Sequence, residues 1–586
     1  MKLQRVSIKN YRSIKELAFT FPKSGILVLV GANNAGKSNI IRAIDAICGE
    51  QWFGRDKIED HDHYLRDKDN AIEIKLSFDD ASYAKFRSDG DRKYPTFYVD
   101  DRPDWRVQPK QVFPCIYLGA DRTFDKHMSF YDWTLIGKIR RAFHQRAQPV
   151  QDELNEKFEE VVKVFDLVDG FSEFKEDFSA FFAEMQADTS ATLGIDFKPY
   201  TPSNYFKTMQ VVAQDPTISD ERLDLVELGE GSRNMVLLAL LRSYAKNFRE
   251  ATEEHGGLIA LEEPELYMHP QARRHLAKVL REIAGSGMQV IISTHSASFL
   301  DTEFFDSVGR VIKVEDDEEP DRQCTEIRVV SRKKLVDHCV ETGVPAAKTT
   351  ETNIGEFYKT TSNPMLNEAF FAKFVILVEG DTEELALPIY LEKEGFDCDL
   401  LGISIISVRG KSQIPKYWRL FSAFEIPLLV MADNDDDKGR KNESNKQLAT
   451  CFGLDVDELL DVPVSKKLQS KAKPPTPIIM LEGDFETATR KDFEAWTHGN
   501  ATVLEEWEEE ARAQIRPHRG QNKGQVARFI ARRMCKHRPD IVLAFIDDIV
   551  DVLKENGFRA TLAKRGEPGA PKNVDAGVED EDDLDF

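Results

Sequence analysis

The sequence predicts an α/β protein with more than one domain, and three observations support this fold class. The 586 residues are several times the roughly 150 of a typical domain. Short β-branched runs such as ILVLV, IALEE and VIIST alternate with helical patterns in the N-terminal half, which is typical of a mainly parallel sheet. A second series of such runs begins near residue 371 with FVILVEG. We therefore expect two α/β domains in one chain.

Composition and charge exclude several classes of protein. Hydrophobic residues make up 41% of the chain, enough for buried cores. The net charge of −23 excludes a nonspecific polycation, so a nucleic-acid contact would need a local basic face. Seven scattered cysteines without a C-x-x-C pair argue against disulfides and structural zinc. The sequence shows neither a membrane-length apolar run nor an apolar signal region near its start, so we expect a cytoplasmic protein without membrane contact.

Changes of composition along the chain predict six segments. In order, these are the first half of an α/β domain, a helical insertion, the second half of that domain, a polar connector, a second α/β domain and an acidic tail. Their predicted limits are residues 1–134, 135–215, 216–330, 331–370, 371–565 and 566–586. The tail is expected to be disordered, because its last twelve residues hold seven acids and no base.

The insertion carries an apolar stripe at helical spacing. The repeat of three and four residues places the side chains on one face of a helix. Two interpretations are equally compatible with this stripe, a helix packed on its own domain and a dimerisation arm. The residues of the stripe are Leu154, Phe158, Val161, Phe165 and Val168.

The run ILVLV-GANNAGKS predicts nucleotide binding. It has the spacing G-x-x-x-x-G-K-S between an apolar strand and an amphipathic helix. Glycine lets successive backbone N–H groups surround phosphates at the helix N-terminus, where the helix dipole favours anions. Lys37 is predicted to neutralise the β- and γ-phosphates, and Ser38 is predicted to bind Mg²⁺.

Three later segments support the same nucleotide site. The strand IALEE ends in Glu262, which suits Mg²⁺ or its water, and Glu263, which suits a base that orients the attacking water. The strand VIIST is followed by His295, which is placed to touch a γ-phosphate. The run LGEGSRN opens a helix with glycines and offers a second anion-binding turn.

In this order the four segments resemble the ABC-type ATPase head of SMC-like and RecF-like proteins, and IKNYRS resembles the opening strand and turn of that group. The resemblance implies ATP held between Walker A of one subunit and the signature of another, hence at least a homodimer. It assigns Walker B to Glu262 and Glu263, although many relatives have Asp first, and the signature lacks the usual LSGGQ. No glutamine of a Q-loop can be placed. The nucleotide-binding residues that it implies are Gly31, Asn34, Gly36, Lys37, Ser38, Gly229, Gly231, Ser232, Glu262 and His295.

Acids follow three strands of the second α/β domain. Residues two apart in extended chain point to the same side, so two carboxylates can face one cation. A single acid of this kind is more often a helix cap, and Asp381 with Glu384 is expected to form a capping box. Three acidic strand ends together are hard to tolerate without a divalent metal, and oxygen ligands suit Mg²⁺ or Mn²⁺. These strand-end acids are Glu379, Asp433, Asp435, Glu482, Asp484 and Glu486.

The strand–E-G and strand–D-x-D patterns resemble a Toprim domain. An ABC head, an inserted helical segment and a C-terminal Toprim domain together resemble the OLD (overcoming lysogenization defect) nuclease family over nearly the whole chain except the tail. The resemblance implies an ATP-controlled DNA endonuclease or nickase with a two-metal site and an assisting lysine, acting in antiphage defence, phage exclusion or DNA repair. It implies metal ligands at Glu379, Glu383, Asp433, Asp435, Asp484 and Glu486, with Glu379 and Lys523 as catalytic residues beside Glu263.

A basic segment lies close to the predicted nuclease site. Residues 511–540 carry nine Lys or Arg and one acid, which predicts a track for the DNA backbone without base-specific contacts. Two alternatives stay open: a DNA-bound SMC- or RecF-like ATPase that does not cleave, and a nuclease that acts on RNA. The sequence also leaves open a helicase or other defence partner, the DNA preference, the activating signal, and whether ATP promotes or restrains cleavage.

Overall fold

The computed structural model describes residues 1–49, 53–120, 135–165, 167–185, 211–215, 219–223, 227, 229–247, 256–359, 365–435, 443–514 and 523–561. The chain forms two compact units. The first unit comprises residues 1–26 and 38–293, and the second comprises residues 27–37 with the chain from 294 onward.

The strands are β1 (Leu3–Tyr11), β2 (Ile14–Thr20), β3 (Ile26–Val30), β4 (Glu73–Phe78), β5 (Tyr83–Arg87), β6 (Thr96–Val99), β7 (Arg102–Asp104), β8 (Cys115–Leu118), β9 (Ala213–Asp215), β10 (Ser219–Leu223), β11 (Leu258–Glu262), β12 (Gln289–Ser293), β13 (Val308–Glu315), β14 (Gln323–Val329), β15 (Phe374–Val378), β16 (Ile403–Ser407), β17 (Leu428–Asp433), β18 (Ser465–Gln469) and β19 (Pro477–Leu481). The helices are α1 (Lys37–Cys48), α2 (Pro109–Val112), α3 (Leu135–Arg146), α4 (Gln151–Phe165), α5 (Phe171–Met185), α6 (Glu230–Asn247), α7 (Pro270–Gly285), α8 (Arg332–Glu341), α9 (Ile354–Lys359), α10 (Asp381–Lys393), α11 (Cys398–Leu401), α12 (Ile414–Ala423), α13 (Glu443–Phe452), α14 (Val456–Leu460), α15 (Phe485–Trp496), α16 (Thr502–Gln514), α17 (Lys523–His537) and α18 (Ala544–Glu555).

The first unit contains an antiparallel sheet and a parallel one. The antiparallel sheet has the order β2-β1-β4-β5-β6-β7, and its apolar residues alternate, so that Val6 and Ile8 are fully buried while their neighbours are not. In the parallel group β11 pairs with both β8 and β12, and Leu258 lies opposite Cys115 and Gln289. Every residue of β11 is buried, as expected for a strand covered on both faces.

The second unit contains the strand that leads into the G-x-x-x-x-G-K-S loop. β3 pairs in parallel with β13, and β13 pairs antiparallel with β14. The helix α1 follows the loop and buries Ile40, Ile41 and Ile44 completely. The predicted strand–loop–helix order is therefore confirmed.

The sheet of the second α/β domain has the order β16-β15-β17-β19-β18. β15, β16, β17 and β19 are parallel, and β18 is an antiparallel edge strand. The core of this domain includes Ile376, Met431 and Ile479 from the strands, together with Ala531 and Ile549 from α17 and α18. Because the strands are parallel, their carboxyl ends lie at one edge of the sheet.

The structure describes helices in two of the predicted segments, the insertion and the connector. In the insertion Val161 lies on α4 and is 51% exposed, and Val168 lies beyond the end of that helix and is 55% exposed. The side chains of Phe158 and Phe165 and most of residues 186–215 lie outside the described residues. The connector forms α8 and α9, which bury Leu335 and Tyr358 completely.

The predicted acidic tail, residues 566–586, lies wholly outside the described residues, so its disorder stays a prediction, as do the domain limits. Among the described residues no helix has both the length and the apolar character of a membrane span.

Candidate functional site

The loop between β3 and α1 is shaped by glycine at two positions. Gly31 has φ +142° and Gly36 has φ +110°. A Cβ atom at Gly31 would clash with the backbone oxygen of Val311, and one at Gly36 would clash with the side chain of Thr325. Thr325 donates from Oγ1 to the backbone oxygen of Ala35 at 2.9 Å. Close packing against β13 and β14 therefore requires glycine at both positions.

The polar residues of this loop have distinct environments. Lys37 is buried, and its Nζ donates to the backbone oxygens of Gly31 at 2.9 Å and Ala32 at 3.0 Å. Asn34 is exposed and has φ +62°, a left-handed conformation that asparagine tolerates well. Ser38 is the second residue of α1 and is half-buried.

The double glutamate lies at the end of β11 in the first unit. Glu262 is 4% exposed, accepts a hydrogen bond from Tyr117 Oη at 3.1 Å and lies 4.0 Å from Arg42 Nε. Burial and the charge of Glu262 raise the pKa of Tyr117. Glu263 has φ +45° and donates its backbone N–H to the oxygen of Ser293 at 2.7 Å. Such a left-handed conformation is costly for glutamate and is characteristic of functional sites.

The remaining predicted nucleotide residues lie at an element end or in a turn. His295 is exposed and follows β12 by two residues, and the N–H of the preceding Thr294 donates to Leu29 of β3 at 3.1 Å. Gly229, Gly231 and the exposed Ser232 form the start of α6. Sequence reasoning missed Tyr117, because a single tyrosine on a strand carries no local signal of its contact with Glu262.

The predicted acids of the second α/β domain lie at the carboxyl edge of its sheet. Glu379 follows β15, Asp433 ends β17, and the segment from Glu482 follows β19. Leu377 lies opposite Val430, and Asp433 lies opposite Leu481. This register places the acidic ends of the three strands beside one another.

Electrostatic effects show that the six predicted ligands are neighbours. Burial, reinforced by the charges of Glu379 and Glu486, raises the pKa of Glu383 to about 7. The pKa of Asp433 is raised well above its usual value by burial and by the charges of Glu383, Glu379 and Asp484. Burial also raises the pKa of Glu379, with a contribution from Asp435, and that of Glu486, with a contribution from Asp484. The structure therefore brings these acids into one cluster.

Several carboxylate oxygens of this edge are buried without a hydrogen-bond partner. They are Glu379 Oε2, Asp433 Oδ1, Glu482 Oε2 and Glu486 Oε1. Leaving such atoms unsatisfied costs free energy, and carboxylate oxygens are the ligands that hard divalent cations prefer. As the side chains stand, no three His, Cys, Asp or Glu residues of the described chain are grouped to hold one ion. The donor chemistry fits a divalent metal, and in the present rotamers Asp435, Glu482 and Asp484 pair with lysines.

Lys411 is one of these lysines, and sequence reasoning missed it. Its side chain is 3% exposed, its Nζ donates to Asp435, and it also donates to Asn445 Oδ1 at 3.2 Å. It follows β16 in the run V-R-G-K-S, where Gly410 has φ +133° and donates its N–H to the oxygen of Glu379 at 2.8 Å. The G-K-S after a strand is the signal that could have pointed to this residue.

Asn434 holds two of the strand ends together. It is fully buried, its Oδ1 accepts from the N–H of Gly483 at 2.9 Å, and its own N–H donates to Leu481 at 2.9 Å. The N–H of Asp435 donates in turn to Gly483 at 3.2 Å. The middle residue of D-N-D therefore sets the geometry of the acids on either side.

Two of the acids also cap helices, and one capping prediction is wrong. Asp484 Oδ1 accepts from the N–H of Thr487 at 2.9 Å at the start of α15, and its Oδ2 lies 3.6 Å from Lys523 Nζ. At α10 the predicted box of Asp381 and Glu384 is not formed. Gly380 is the N-cap residue, so Glu383, one position earlier than predicted, accepts from the Gly380 N–H at 3.2 Å.

The basic segment forms the helix α17 where the structure describes it. One face packs in the core through Ala527, Ala531 and Met534, and Gly524 lies against α10. The opposite face exposes Lys523 at the start of the helix and then a basic row that consists of Arg528, Arg532 and Lys536. The row therefore leads away from the acid cluster along one helix.

Comparison with known proteins matches both halves of the chain. The family described as "AAA ATPase domain" matches residues 1–108 and 116–300, half of the chain. The family described as "Overcoming lysogenization defect protein-like, TOPRIM domain" matches residues 370–435, which include Glu379 and Asp433. The chain belongs to the AAA ATPase domain family and carries an OLD-like Toprim domain. These two matches confirm the predicted α/β fold with an ATPase domain and a Toprim domain, and the chain is an enzyme, an ATPase and an endonuclease.

Named relatives cover most of the length of this chain. It is 25% identical over 506 residues to "OLD nuclease" of Thermus scotoductus, covering 77% of this chain and 89% of the relative. It is 25% identical over 553 residues to "Old nuclease" of Escherichia phage P2, covering 84% and 86%. It is 22% identical over 544 residues to "Endonuclease GajA" of Bacillus cereus, covering 80% and 83%.

Replacing Gly36 with Ala is expected to weaken ATP binding at least about tenfold, because a Cβ atom forces the loop away from Thr325 and the positive φ costs about 1–3 kcal/mol. Binding of a fluorescent ATP analogue measures the effect. Gly285→Ala is the control, since a Cβ atom there has no neighbour within 4 Å. Unchanged affinity in Gly36→Ala would contradict the assigned role of the loop.

Proposed function

We propose that this enzyme is an ATP-controlled, Mg²⁺- or Mn²⁺-dependent DNA endonuclease or nickase that works by a two-metal mechanism. One observation carries the proposal: acids from three strand ends form a single cluster, and buried oxygens of Glu379, Asp433 and Glu486 have no hydrogen-bond partner. A purely structural role would leave these oxygens uncompensated. A role as a metal site compensates them and supplies nuclease chemistry.

The residues proposed to hold metal are Glu379, Glu383, Asp433, Asp435, Asp484 and Glu486. When bound at such a site, divalent ions polarise the scissile phosphate and activate water for in-line attack. Lys523, which lies 3.6 Å from Asp484, adds positive charge where the phosphorane accumulates negative charge. Lys411 holds Asp435 in place, and Asn434 fixes the spacing between the ends of β17 and β19.

The basic row on α17 supports DNA as the substrate. Arg528, Arg532 and Lys536 are exposed at intervals of four residues, so their cationic groups follow one side of the helix. Two neighbouring cations in the described part of this segment are paired, since Arg533 donates to Glu510 and Arg538 donates to Asp540. A row of exposed cations beside a phosphodiester site is suited to backbone phosphates.

ATP control is proposed to act through a homodimer. Ser232 is exposed in the signature turn and is accessible to a second subunit. Around the end of α4, Val161, Val164, Leu167 and Val168 are exposed, Leu167 by 82%. Exposed apolar side chains grouped in this way are typical of an interaction surface. We propose that this surface is buried against a second copy and that ATP joins the two heads.

The setting proposed from the family resemblance is antiphage defence or phage exclusion, with DNA repair as the alternative setting. The relatives named "Old nuclease" of Escherichia phage P2 and "Endonuclease GajA" of Bacillus cereus support a nuclease, and the setting rests on the family resemblance. A helicase or other defence protein acting with the enzyme is part of the same proposal.

Glu379→Ala is expected to reduce nicking of supercoiled plasmid by on the order of 100-fold or more, because metal contacts supply several kcal/mol of transition-state stabilisation. Agarose-gel assays with Mg²⁺ or Mn²⁺ measure the effect, and ATP hydrolysis should be unchanged. Asp461→Asn, at an exposed acid of the same domain, is the control. Equal nicking by Glu379→Ala would refute the site. Intact plasmid with active ATP hydrolysis in the parent would favour the non-cleaving ATPase, and cleavage of RNA alone would favour an RNA nuclease.

The triple replacement of Arg528, Arg532 and Lys536 by Gln is expected to weaken DNA binding about tenfold or more. The number of phosphate contacts derived from the salt dependence of binding should fall by about three. Fluorescence anisotropy at several salt concentrations measures both. The control replaces three exposed lysines outside the row, Lys446, Lys471 and Lys554, with Gln. An equal loss of DNA affinity in both triple variants would show that the total charge of the protein, and not the basic row on α17, determines binding.

Val161→Asp combined with Val168→Asp is expected to shift the oligomer toward monomer at least about tenfold, because a charge buried in an apolar interface costs several kcal/mol. Sedimentation velocity with and without ATP measures the shift. Val99→Asp is the control, since Val99 is 46% exposed on the antiparallel sheet. A dimer that survives the double substitution would place the interface elsewhere.

A further inference from the structure

The hairpin of β13 and β14 touches the Walker A loop at two points. Arg310 lies opposite Val30, the residue directly before Gly31. The backbone oxygen of Val311 fills the space where Gly31 lacks a Cβ atom, and Thr325 of β14 does the same at Gly36. Because neither glycine leaves any room, a shift of the loop must move the hairpin with it.

The same hairpin is bonded to the Toprim domain through Arg310. This arginine is 5% exposed, and its two terminal nitrogens donate to the backbone oxygens of Ala372 at 3.0 Å and Glu425 at 3.3 Å. Burial and the nearby charge of Arg328 lower the pKa of Arg310 to about 10. Burying a guanidinium is costly, so its two carbonyl contacts form a specific link that an apolar side chain would not provide.

The two carbonyls lie at the amino ends of the two strands that carry catalytic acids. Ala372 comes two residues before β15, which leads to Glu379. Glu425 comes three residues before β17, which ends in Asp433. Each strand has five or six residues, about 17–20 Å at roughly 3.3 Å per residue. Moving the amino end of such a strand moves the acid at its other end.

A second contact reinforces the link at Glu425. Arg328 lies opposite Arg310 on β14, and its Nε donates to Glu425 Oε2 at 2.5 Å. Glu425 has φ +55°, so its turn is held in a less common conformation while both arginines bind it. The backbone oxygen of Glu425 is therefore bound to Arg310 on β13, and its side chain is bound to Arg328 on β14.

We propose that Arg310 is a positioning residue that transmits the nucleotide state of the Walker A loop to the acids at Glu379 and Asp433. The path runs from the loop to β13 and β14, through Arg310 to Ala372 and Glu425, and along β15 and β17. The inference rests on the proposed ATP control of cleavage and names the residue that performs it. No Q-loop glutamine could be assigned from the sequence, and Arg310 is the residue proposed for this coupling role.

The test uses the full chain and compares Arg310→Met and Arg310→Lys with the parent. Three quantities are measured: ATP hydrolysis, plasmid nicking without nucleotide, and the ratio of nicking with ATP to nicking without it. The ratio reports coupling, which in allosteric proteins amounts to about 5- to 150-fold. Arg322→Met is the matched control, because Arg322 is exposed in the turn of the same hairpin and pairs with Glu319.

Arg310→Met is expected to bring the ratio to one within about twofold while both separate activities persist. Arg310→Lys should retain part of the coupling, since an ammonium group lacks the fork that reaches two carbonyls at once. Arg322→Met should keep the parent ratio. A ratio that Arg310→Met leaves unchanged overturns the inference alone, whereas a parent ratio of one overturns ATP control and the inference with it.

A second pair of variants keeps the inference testable if Arg310→Met does not fold. Arg328→Met and Glu425→Gln remove a half-exposed contact, which the fold tolerates better than the loss of a buried group. Each is expected to move the ratio toward one, and the double variant should move it no further than one of the singles, because both remove the same contact. Parent ratios in all three variants would overturn the inference.

Discussion

The structure of the Toprim domain depends on one constraint, the concentration of negative charge at a single sheet edge. Parallel strands bring Glu379 and Asp433 together, and burial then raises the pKa of each carboxyl group. Such an edge is stable only if cations or hydrogen-bond donors accompany it. Lys411 beside Asp435 and Lys523 beside Asp484 provide part of that compensation. The surrounding loops are arranged to hold the acids close and not to separate them.

The parts of the molecule that the sequence predicted well are those set by local rules. Buried β-branched runs predicted the strands, and the G-x-x-x-x-G-K-S spacing predicted a loop between strand and helix because two glycine positions admit no side chain. The carboxyl ends of parallel strands then placed the acids beside one another without further information. The capping error at α10 was also local, since the position of the N-cap at Gly380 decides which glutamate closes the turn.

The residues that the sequence did not predict act across long separations in the chain. Tyr117 reaches Glu262 from 145 positions away, and Arg310 reaches Glu425 from 115 positions away. No periodicity or spacing rule relates such pairs, because the fold alone brings them together. Lys411 is an intermediate case, since its place after a strand was visible but its pairing with Asp435 was not.

The acids of the cluster differ in what else they do, and this difference separates structural from functional groups. Asp484 caps α15 with one oxygen, and Glu482 pairs with Lys491 at 2.5 Å through Oε1 while its Oε2 is buried without a partner, so stability alone explains part of their presence. Glu379, Asp433 and Glu486 each keep a buried oxygen without a partner. Neutral side chains of similar size would cost less free energy to bury at these positions, because they carry no charge to desolvate. Carboxylates kept at a cost to stability are characteristic of sites where function needs them. These three residues are therefore the first candidates to hold the proposed metal.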